Sequence, residues 1–274
     1  MFELPIITVS GMSLPDAWEW SIHALYHEGG RIPTQYDNIS DEESIDASVM
    51  IVVEDPFSEP RYHRNFPGGF FDLYKYAAEV LCGVDDKARL DIGTYTYHDR
   101  MVSHWGNQIE YVVNALSECQ YSRRAQIVFW DPAIDTKIGA ENIPCLQRMH
   151  FRIIKDALCL SVSMRSNDAF KASYMNIFVF TLLQKNIANI LSQRLNKHIS
   201  CGTYVHLVDS YHIYGKYLDS VEAFINNGRS FAENTYKTEE IADIIDESIE
   251  KVSKMYNLNN FPFNLTMEDM AASR

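Results

Sequence analysis

The chain has 274 residues, of which 46% are apolar, and a formal net charge of −13. This apolar content is normal for a globular protein with a substantial core, and it argues against an intrinsically disordered chain. The negative charge argues against a broad nucleic-acid footprint, because binding along a phosphate backbone requires clustered Lys and Arg. A local pocket in which a few arginines bind one phosphate remains compatible with it.

Three sequence features indicate the cellular compartment of the protein: the N-terminal segment, the apolar runs and the cysteines. Residues 1–13 have no basic signal region, and the longest apolar run, near residues 175–183, is too short to span a bilayer. The chain has five cysteines, an odd number, and their spacing shows no pairs. This pattern is typical of reduced thiols. No CxxC or His/Cys cluster suggests zinc, so we expect no metal site. Because a signal region and a bilayer-spanning run are both missing, we expect a cytoplasmic protein without a membrane partner.

The first clear element is a helix over Leu14–Glu28. Ser13 can cap this helix, Pro15 suits its first turn, and the pair Gly29-Gly30 ends it. The polar and acidic stretch Gln35–Ser48 is typical of a loop.

Further elements follow in chain order. Val49–Val53 is a candidate strand, and a helix over about Phe71–Leu81 follows a Pro-Gly-Gly break. The pattern then predicts a helix over about Gln108–Ser117 and a short strand within Ala125–Trp130, which an Asp-Pro pair ends.

The clearest β signal is a hairpin, in which Met149–Ile154 and Leu158–Ser166 flank the turn Lys155-Asp156-Ala157. In the second strand, apolar and polar side chains alternate, which predicts one buried and one polar face. The apolar face carries Leu158, Leu160, Val162 and Met164, and the polar face carries Cys159, Ser161, Ser163 and Arg165.

The last part of the chain predicts a long apolar helix over about Ala169–Leu191, a strand over Tyr204–Val208, and helices near Ser220–Asn226 and Thr238–Met255. A mixture of helices with an antiparallel hairpin is typical of an α+β fold rather than of alternating βαβ units. We expect a single domain over residues 1–274.

Cys145, which follows Pro144, is the candidate nucleophile. A lone cysteine is usually an inert small hydrophobic residue, and reactivity requires an electropositive, partly exposed setting that lowers the pKa of the thiol. Arg123, Arg124 and Arg165 are the candidate cations. Each of them can equally be a surface charge, so the individual residues leave both interpretations open.

Five separate features occur in a fixed order along the chain. They are Ser122-Arg123-Arg124, a strand ending at Trp130-Asp131, Pro144-Cys145, Met164-Arg165-Ser166-Asn167-Asp168 followed by Asn176, and His212-Ile213-Tyr214. Together they resemble the thymidylate synthase family. The resemblance covers roughly Tyr95–Leu218 and implies a mixed, largely antiparallel sheet packed with helices, with one sheet face at the interface of a homodimer. Gly29-Gly30-Arg31 is similar to the family's opening helix and phosphate-loop arginine.

The resemblance implies a pyrimidine nucleoside monophosphate as the substrate. Arg31, Arg165 and Ser166 match ligands of its phosphate. Arg123 and Arg124 match arginines that reach the phosphate in the partner subunit's site, which requires a homodimer.

The remaining matches concern the base, the sugar and the one-carbon donor, 5,10-methylenetetrahydrofolate. Cys145 matches the nucleophile that attacks C6 of the pyrimidine, and Tyr95 matches a tyrosine of the network that removes the C5 proton. Asp168 matches a residue on the folate and base side of the cleft. Thiolate addition at C6 makes C5 an enolate carbon, which divides one difficult step into easier ones.

Three further matched residues bear on which nucleotide is used. His212 and Tyr214 match the pair that contacts the sugar 3′-hydroxyl. Asn176 matches the amide that reads O4 and N3 of uracil, and a carboxamide suits that edge better than a carboxylic acid would. The alternative, that Asn176 only packs or caps its helix, stays open.

The chain also departs from the family pattern. Met164 stands where the family usually has Gln, and Leu146 where it has His. Tyr76 occupies the spacing of the catalytic glutamate, for which Asp72 and Glu79 are the nearest acids. The tryptophans that flank the folate are absent between residues 84 and 100, and the short apolar C-terminal tail is missing.

These losses favour entry of water, because lids and indole walls normally keep such sites dry. The sequence therefore favours a hydroxymethyltransferase acting on dUMP. The open alternatives are a thymidylate synthase that makes dTMP and dihydrofolate, a hydroxymethylase that uses dCMP or CMP, and a non-catalytic nucleotide-binding relative.

Overall fold

The computed structural model describes residues 4–38, 41–139 and 142–272. Within these residues, no helix has the length and apolar character needed to cross a membrane. The strands are β1 (Ile6–Gly11), β2 (Gly30–Ile32), β3 (Ser44–Val53), β4 (Tyr62–His63), β5 (Gln126–Val128), β6 (Leu146–Ile154), β7 (Ala157–Asp168), β8 (Ser200–Ile213) and β9 (Thr235–Tyr236). The α-helices are α1 (Leu14–Glu28), α2 (Phe70–Cys82), α3 (Asp86–Asp91), α4 (Tyr97–Val102), α5 (Gln108–Glu118), α6 (Pro132–Asp135), α7 (Ser173–Arg194), α8 (Leu218–Ile225), α9 (Ala242–Tyr256) and α10 (Met267–Ala271).

One compact unit is built around β3 and comprises Met1–Gly68, Met164–Ile177 and Thr203–Ile241. In this unit β1 pairs with β3 in parallel, whereas β2 and β8 pair with β3 antiparallel, which makes the sheet mixed. Helix α1 packs on β1 and β3. It does so through an apolar stripe that includes the fully buried Trp18, whose indole N–H donates to the carbonyl of Ala169 at 3.0 Å.

The second compact unit comprises Gly69–Ser163, Phe178–Gly202 and Ala242–Arg274. Here β5 pairs with β6 antiparallel, β6 lies next to β7, and α2 packs against α9. Lys155 and Asp156 connect β6 to β7 with φ angles of 49° and 64°. Two consecutive left-handed residues are typical of the tight turn that matches the twist of a hairpin. The predicted hairpin is therefore present, with a two-residue turn instead of the three residues expected.

The predicted α+β class is confirmed, as is the alternation along β7, where the four apolar side chains are at most 1% exposed. Two expectations were wrong. The loop expected over Gln35–Ser48 ends at Ser44, because β3 begins there and pairs its buried first residues with β2 and β8. Ser13 occupies the N-cap position of α1, but its side chain makes no capping hydrogen bond.

A buried histidine joins α3, α4 and α10. His98 lies at the start of α4, its side chain is fully buried, and its Nδ1 is 2.7 Å from a carboxylate oxygen of Asp86. Its Nε2 is 2.8 Å from the carbonyl oxygen of Met270, and the Thr96 hydroxyl donates to the other oxygen of Asp86 at 2.5 Å. His98 therefore fastens the C-terminal helix to α4.

His98→Ala should lower the free energy of unfolding by about 3 kcal/mol, because it leaves the buried Asp86 carboxylate and the Met270 carbonyl without this partner. Denaturant unfolding measures the loss. His198→Ala, at an exposed position, is the matched control and should change stability little. Equal stabilities of the two variants would contradict the role of His98.

Candidate active site

Cys145 is half-buried and lies directly before β6. The backbone N–H of Leu146 donates to the hydroxyl of Tyr97 at 3.3 Å, and the side-chain amide of Gln147 donates to the carbonyl of Pro144 at 2.8 Å. Hydrogen bonds therefore hold the backbone on both sides of the thiol, while the thiol keeps partial exposure. Partial exposure is one of the two conditions that a reactive cysteine requires.

Three neighbouring tyrosine side chains form a cluster, and two of them interact with this thiol. Tyr76 comes from α2, Tyr97 opens α4, and Tyr95 precedes it, with the rings of Tyr95 and Tyr97 5.6 Å apart. Tyr76 and Tyr97 both interact electrostatically with Cys145, and burial raises the pKa of each hydroxyl above its usual value. The two hydroxyls therefore stay protonated and can donate hydrogen bonds. Of the three, only Tyr95 was predicted from the sequence.

Two polar cavities open beside these tyrosines and share Thr94, Tyr95 and Asn142 as lining residues. The larger has a volume of about 530 Å³ and includes Asp99, Arg100 and His104 in its wall. The smaller, of about 260 Å³, is lined by Tyr76, Glu79, Val80, Asp85, Arg89, Thr94, Tyr95, Thr96, Tyr97 and Asn142.

Arg100 organises the loop that leads to Cys145. Its guanidinium donates to Asp135 at 2.8 Å and to the carbonyl of Phe129 at 3.3 Å, and both Arg100 and Asp135 are buried. The other oxygen of Asp135 accepts from the backbone N–H of Asp131 at 2.7 Å. Arg100 thus has a structural role in addition to lining the cavity.

Arg123 and Arg124 are exposed at the end of α5, where they line a surface pocket of about 830 Å³ together with Tyr111 and Cys119. Their backbones are fixed, because the carbonyl of Arg123 accepts from His150 at 3.1 Å and that of Arg124 accepts from Tyr111 at 3.3 Å. Exposed guanidinium groups on a fixed backbone can reach a second molecule, as the predicted role requires.

The other predicted residues belong to the unit built around β3. Arg165 is exposed and Ser166 is half-buried near the end of β7, where Asp168 accepts from the backbone N–H groups of Phe170 and Lys171 at 3.0 and 2.8 Å. Burial raises the pKa of Asp168, although these two hydrogen bonds oppose the shift.

Strand β8 carries the predicted sugar-binding pair. Nδ1 of His212 lies 3.2 Å from the carbonyl of Ser210, and its ring centroid lies 4.6 Å from that of Tyr214. The side chain of His212 is buried, and its Nε2 has no hydrogen-bond partner among the described residues. An unsatisfied buried nitrogen is costly unless a ligand completes it.

Asn176 and Arg31 complete the set. Asn176 is buried on α7, and its amide nitrogen lies 3.9 Å from the sulfur of Met164, a weak contact that a base edge could replace. Arg31 is exposed and contacts Glu42 at 3.2 Å and the carbonyl of Glu43 at 3.0 Å. Arg31 would have to leave these contacts to reach a phosphate.

A buried polar chain that the sequence did not predict supports the end of β7. His206 is fully buried, with its Nδ1 2.8 Å from the Tyr204 hydroxyl and its Nε2 2.9 Å from the side-chain oxygen of Asn167. Burial lowers the pKa of His206 to about 3, so the ring is neutral at ordinary pH. It holds Asn167, which lies between Ser166 and Asp168.

This histidine should make stability pH-dependent. In the unfolded chain it ionises near its usual pKa of roughly 6.5, so below that pH the unfolded state binds more protons and the free energy of unfolding falls. Between pH 7 and pH 5 we expect wild type to lose about 2 kcal/mol more than His206→Gln. Denaturant unfolding at both pH values measures this, and equal pH slopes would contradict it.

Comparisons with known proteins agree with this geometry. The family model described as thymidylate synthase matches residues 86–261. A provisionally named thymidylate synthase of Methanothermobacter marburgensis is 30% identical over 235 residues, covering 80% of this chain and 98% of that protein. A provisionally named thymidylate synthase of Methanococcoides burtonii is 27% identical over 79% of this chain and 94% of that protein.

Two further comparisons concern a viral enzyme and a solved structure. The deoxyuridylate hydroxymethyltransferase of Delftia phage PhiW-14 is 29% identical over 52% of this chain and 40% of that protein. Thermostable thymidylate synthase A of Bacillus subtilis superposes with a TM-score of 0.61 at 17% identity, covering 85% of this chain and 91% of that one.

The structural similarity defines the class: an α+β protein with the thymidylate synthase fold. Because the family model also matches more than half of the residues, the chain belongs to the thymidylate synthase family and is a one-carbon transferase. The predicted family is thus confirmed.

Proposed function

We propose that this protein transfers a one-carbon unit from 5,10-methylenetetrahydrofolate to C5 of a pyrimidine nucleoside 5′-monophosphate, favouring dUMP and giving a 5-hydroxymethyl nucleotide. The observation that carries the proposal is the half-buried thiol of Cys145 beside the hydroxyls of Tyr76 and Tyr97, which stay protonated. The same two tyrosines line a polar cavity. The name of the Delftia phage relative supports the substrate and the product.

The reaction begins at Cys145. Its thiolate adds to C6 of the pyrimidine, and the electron pair of the C5–C6 bond makes C5 the nucleophile that accepts the one-carbon unit. Tyr95 lies in the hydroxyl cluster and is the residue that we assign to the network that removes the C5 proton. Tyr95 lies close to Tyr97, with ring centroids 5.6 Å apart, and interacts electrostatically with Tyr76 and Tyr97.

Nucleotide binding is assigned to charged and amide groups. Arg165 and Ser166 bind the phosphate, with Arg31 as a further ligand, because guanidinium groups make charge-assisted contacts with a dianion. Arg123 and Arg124 are contributed to the partner subunit's site in a homodimer. Its interface is assigned to the polar face of β7, which is only partly buried in the single chain.

Recognition of the base and the sugar is assigned to hydrogen-bonding side chains. Asn176 orients its amide toward O4 and N3 of uracil. Asp168 is assigned to the side of the cleft where the base meets the folate, the one-carbon donor. If Nδ1–H of His212 donates to Ser210, Nε2 carries a lone pair and accepts from the sugar 3′-hydroxyl, with Tyr214 beside it. This hydroxyl would satisfy the buried nitrogen of His212, for which the described residues offer no partner.

The larger cavity fits the one-carbon donor by its chemistry. Asp99 and Asn142 offer carboxylate and amide groups to the hydrogen-bonding edge of a pteridine, and Tyr95 offers an aromatic wall. When bound there, the donor supplies the one-carbon unit.

A thymidylate synthase reaction, giving dTMP and dihydrofolate, is the second candidate, favoured by the names of the two provisionally named relatives. Incubation of the protein with dUMP and methylenetetrahydrofolate separates the two reactions. A product heavier than dUMP by CH2O, without a rise in dihydrofolate absorbance, supports the hydroxymethyltransferase. Growth of dihydrofolate absorbance supports the synthase instead.

Cys145→Ala should abolish tritium release from C5-labelled dUMP, because C5 cannot become nucleophilic without the thiolate addition at C6. Cys119→Ala, at an exposed position, is the matched control and should retain wild-type release. Persistent release by Cys145→Ala would contradict the assignment of the nucleophile.

Arg165→Ala should raise the KM for dUMP by about 30-fold, the equivalent of a charge-assisted phosphate contact, with a smaller change in kcat. Arg152→Ala, which removes an exposed arginine of β6, should leave KM unchanged. If wild type used the uncharged nucleoside as well as the monophosphate, the phosphate assignment would be wrong.

A further inference from the structure

The smaller cavity, which Tyr76 and Tyr97 line, has a wall that suits water. Nine of its ten lining residues carry hydroxyl, carboxyl, amide or guanidinium groups, and Val80 is the apolar one. A polar cavity of about 260 Å³ is large enough for several water molecules and offers the two to four hydrogen bonds that each one needs. Solvent therefore has both room and partners beside the two tyrosines that interact with Cys145.

Two carboxyl groups meet in this wall. Glu79 follows Tyr76 by three residues on α2, so both side chains lie on one face of the helix. Gly83 ends α2 with a φ of 60°, and a Cβ at this position would lie 2.3 Å from Nδ1 of His98. This tight glycine turn returns the chain, and Asp85 and Glu79 line the same cavity.

The charges around Glu79 act in opposite directions. Burial raises the pKa of Glu79, and the neighbouring Asp85 raises it further. Lys75, whose Nζ is 3.7 Å from a Glu79 oxygen, and Arg89 oppose this shift. Two carboxyl groups in one polar wall can accept hydrogen bonds from a water molecule, and a carboxylate can take its proton.

We propose that Glu79 and Asp85 hold and deprotonate the water molecule that adds to the transferred carbon, and so direct the reaction to a hydroxymethyl product. This inference rests on the proposed function, since it concerns the intermediate that remains on the nucleotide after one-carbon transfer. That intermediate has Cys145 bonded to C6 and an exocyclic methylene group on C5.

The step balances without an oxidant or a reductant. The water oxygen forms a bond to the exocyclic carbon, and the electron pair of the exocyclic double bond moves through C5 and C4 to O4. The water proton passes to a carboxylate oxygen of the pair. When the enolate returns its electrons, the C5–C6 double bond forms again, the C6–sulfur bond breaks, and Cys145 leaves as the thiolate.

The test measures how the methylene intermediate is divided between water and an added thiol. Wild type is incubated with C5-tritiated dUMP, methylenetetrahydrofolate and 2-mercaptoethanol, and mass spectrometry quantifies the hydroxymethyl product and the thioether adduct. Tritium release reports the earlier steps. Glu79→Gln and Asp85→Asn should each lower the ratio of hydroxymethyl product to thioether by about 100-fold, the usual effect of losing a general base, while tritium release changes much less. Asp91→Asn, on the exposed side of α3, is the control and should keep the wild-type ratio.

Other outcomes overturn the proposal in distinguishable ways. If both variants lose tritium release and product in parallel at an unchanged ratio, the pair only supports the structure. If wild type forms dTMP with dihydrofolate, water is not the second reactant, although one-carbon transfer still holds. If wild type releases no tritium, the proposed function itself fails together with this inference.

Discussion

The hydrogen bond from the backbone N–H of Leu146 to the hydroxyl of Tyr97 fixes the segment on which the chemistry depends. It ties the start of β6 to the start of α4, and the ring of Tyr97 packs edge-on against Phe129 and Phe180 at 5.8 and 6.4 Å. The backbone next to Cys145 is thus held by a half-buried aromatic side chain. Reacting groups held in this way need less reorganisation when substrate binds.

Much of the fold follows from local patterns in the sequence. The alternation along β7 and the amphipathic pattern of α1 are strong signals, and both elements form where they were predicted. The start of β3 gave no such signal, because Asp46 interrupts the apolar pattern and is accommodated only through pairing with β2 and β8. The short helices α3 and α4 have fewer than two turns, too few to show a periodicity.

The candidate site also has a part that the sequence predicted and a part that only the structure shows. The order of the motifs around Cys145, Arg165 and His212 pointed to the family, which the comparisons confirmed. The roles of Tyr97 and Glu79 could not be read from the sequence, because they arise from the packing of α2 against α4 and from the turn at Gly83. Contacts between distant segments set the chemistry of such residues, and spacing along the chain does not encode them.

The half-buried Glu79 illustrates how this chain combines stability with reactivity. Burying a carboxyl group beside another acid destabilises the folded state, and a leucine at such a position would pack better. Stability is supplied elsewhere, notably by the fully buried apolar face of β7 and the buried ion pair of Arg100 with Asp135. Strained or poorly satisfied groups at a catalytic centre are a common compromise in enzymes.

The bond from His98 to the carbonyl of Met270 has a consequence for motion during catalysis. Met270 is buried through its side chain and held through its backbone, so α10 cannot leave its position without breaking an interior contact. Any rearrangement that displaces this helix would therefore cost the free energy of a buried hydrogen bond.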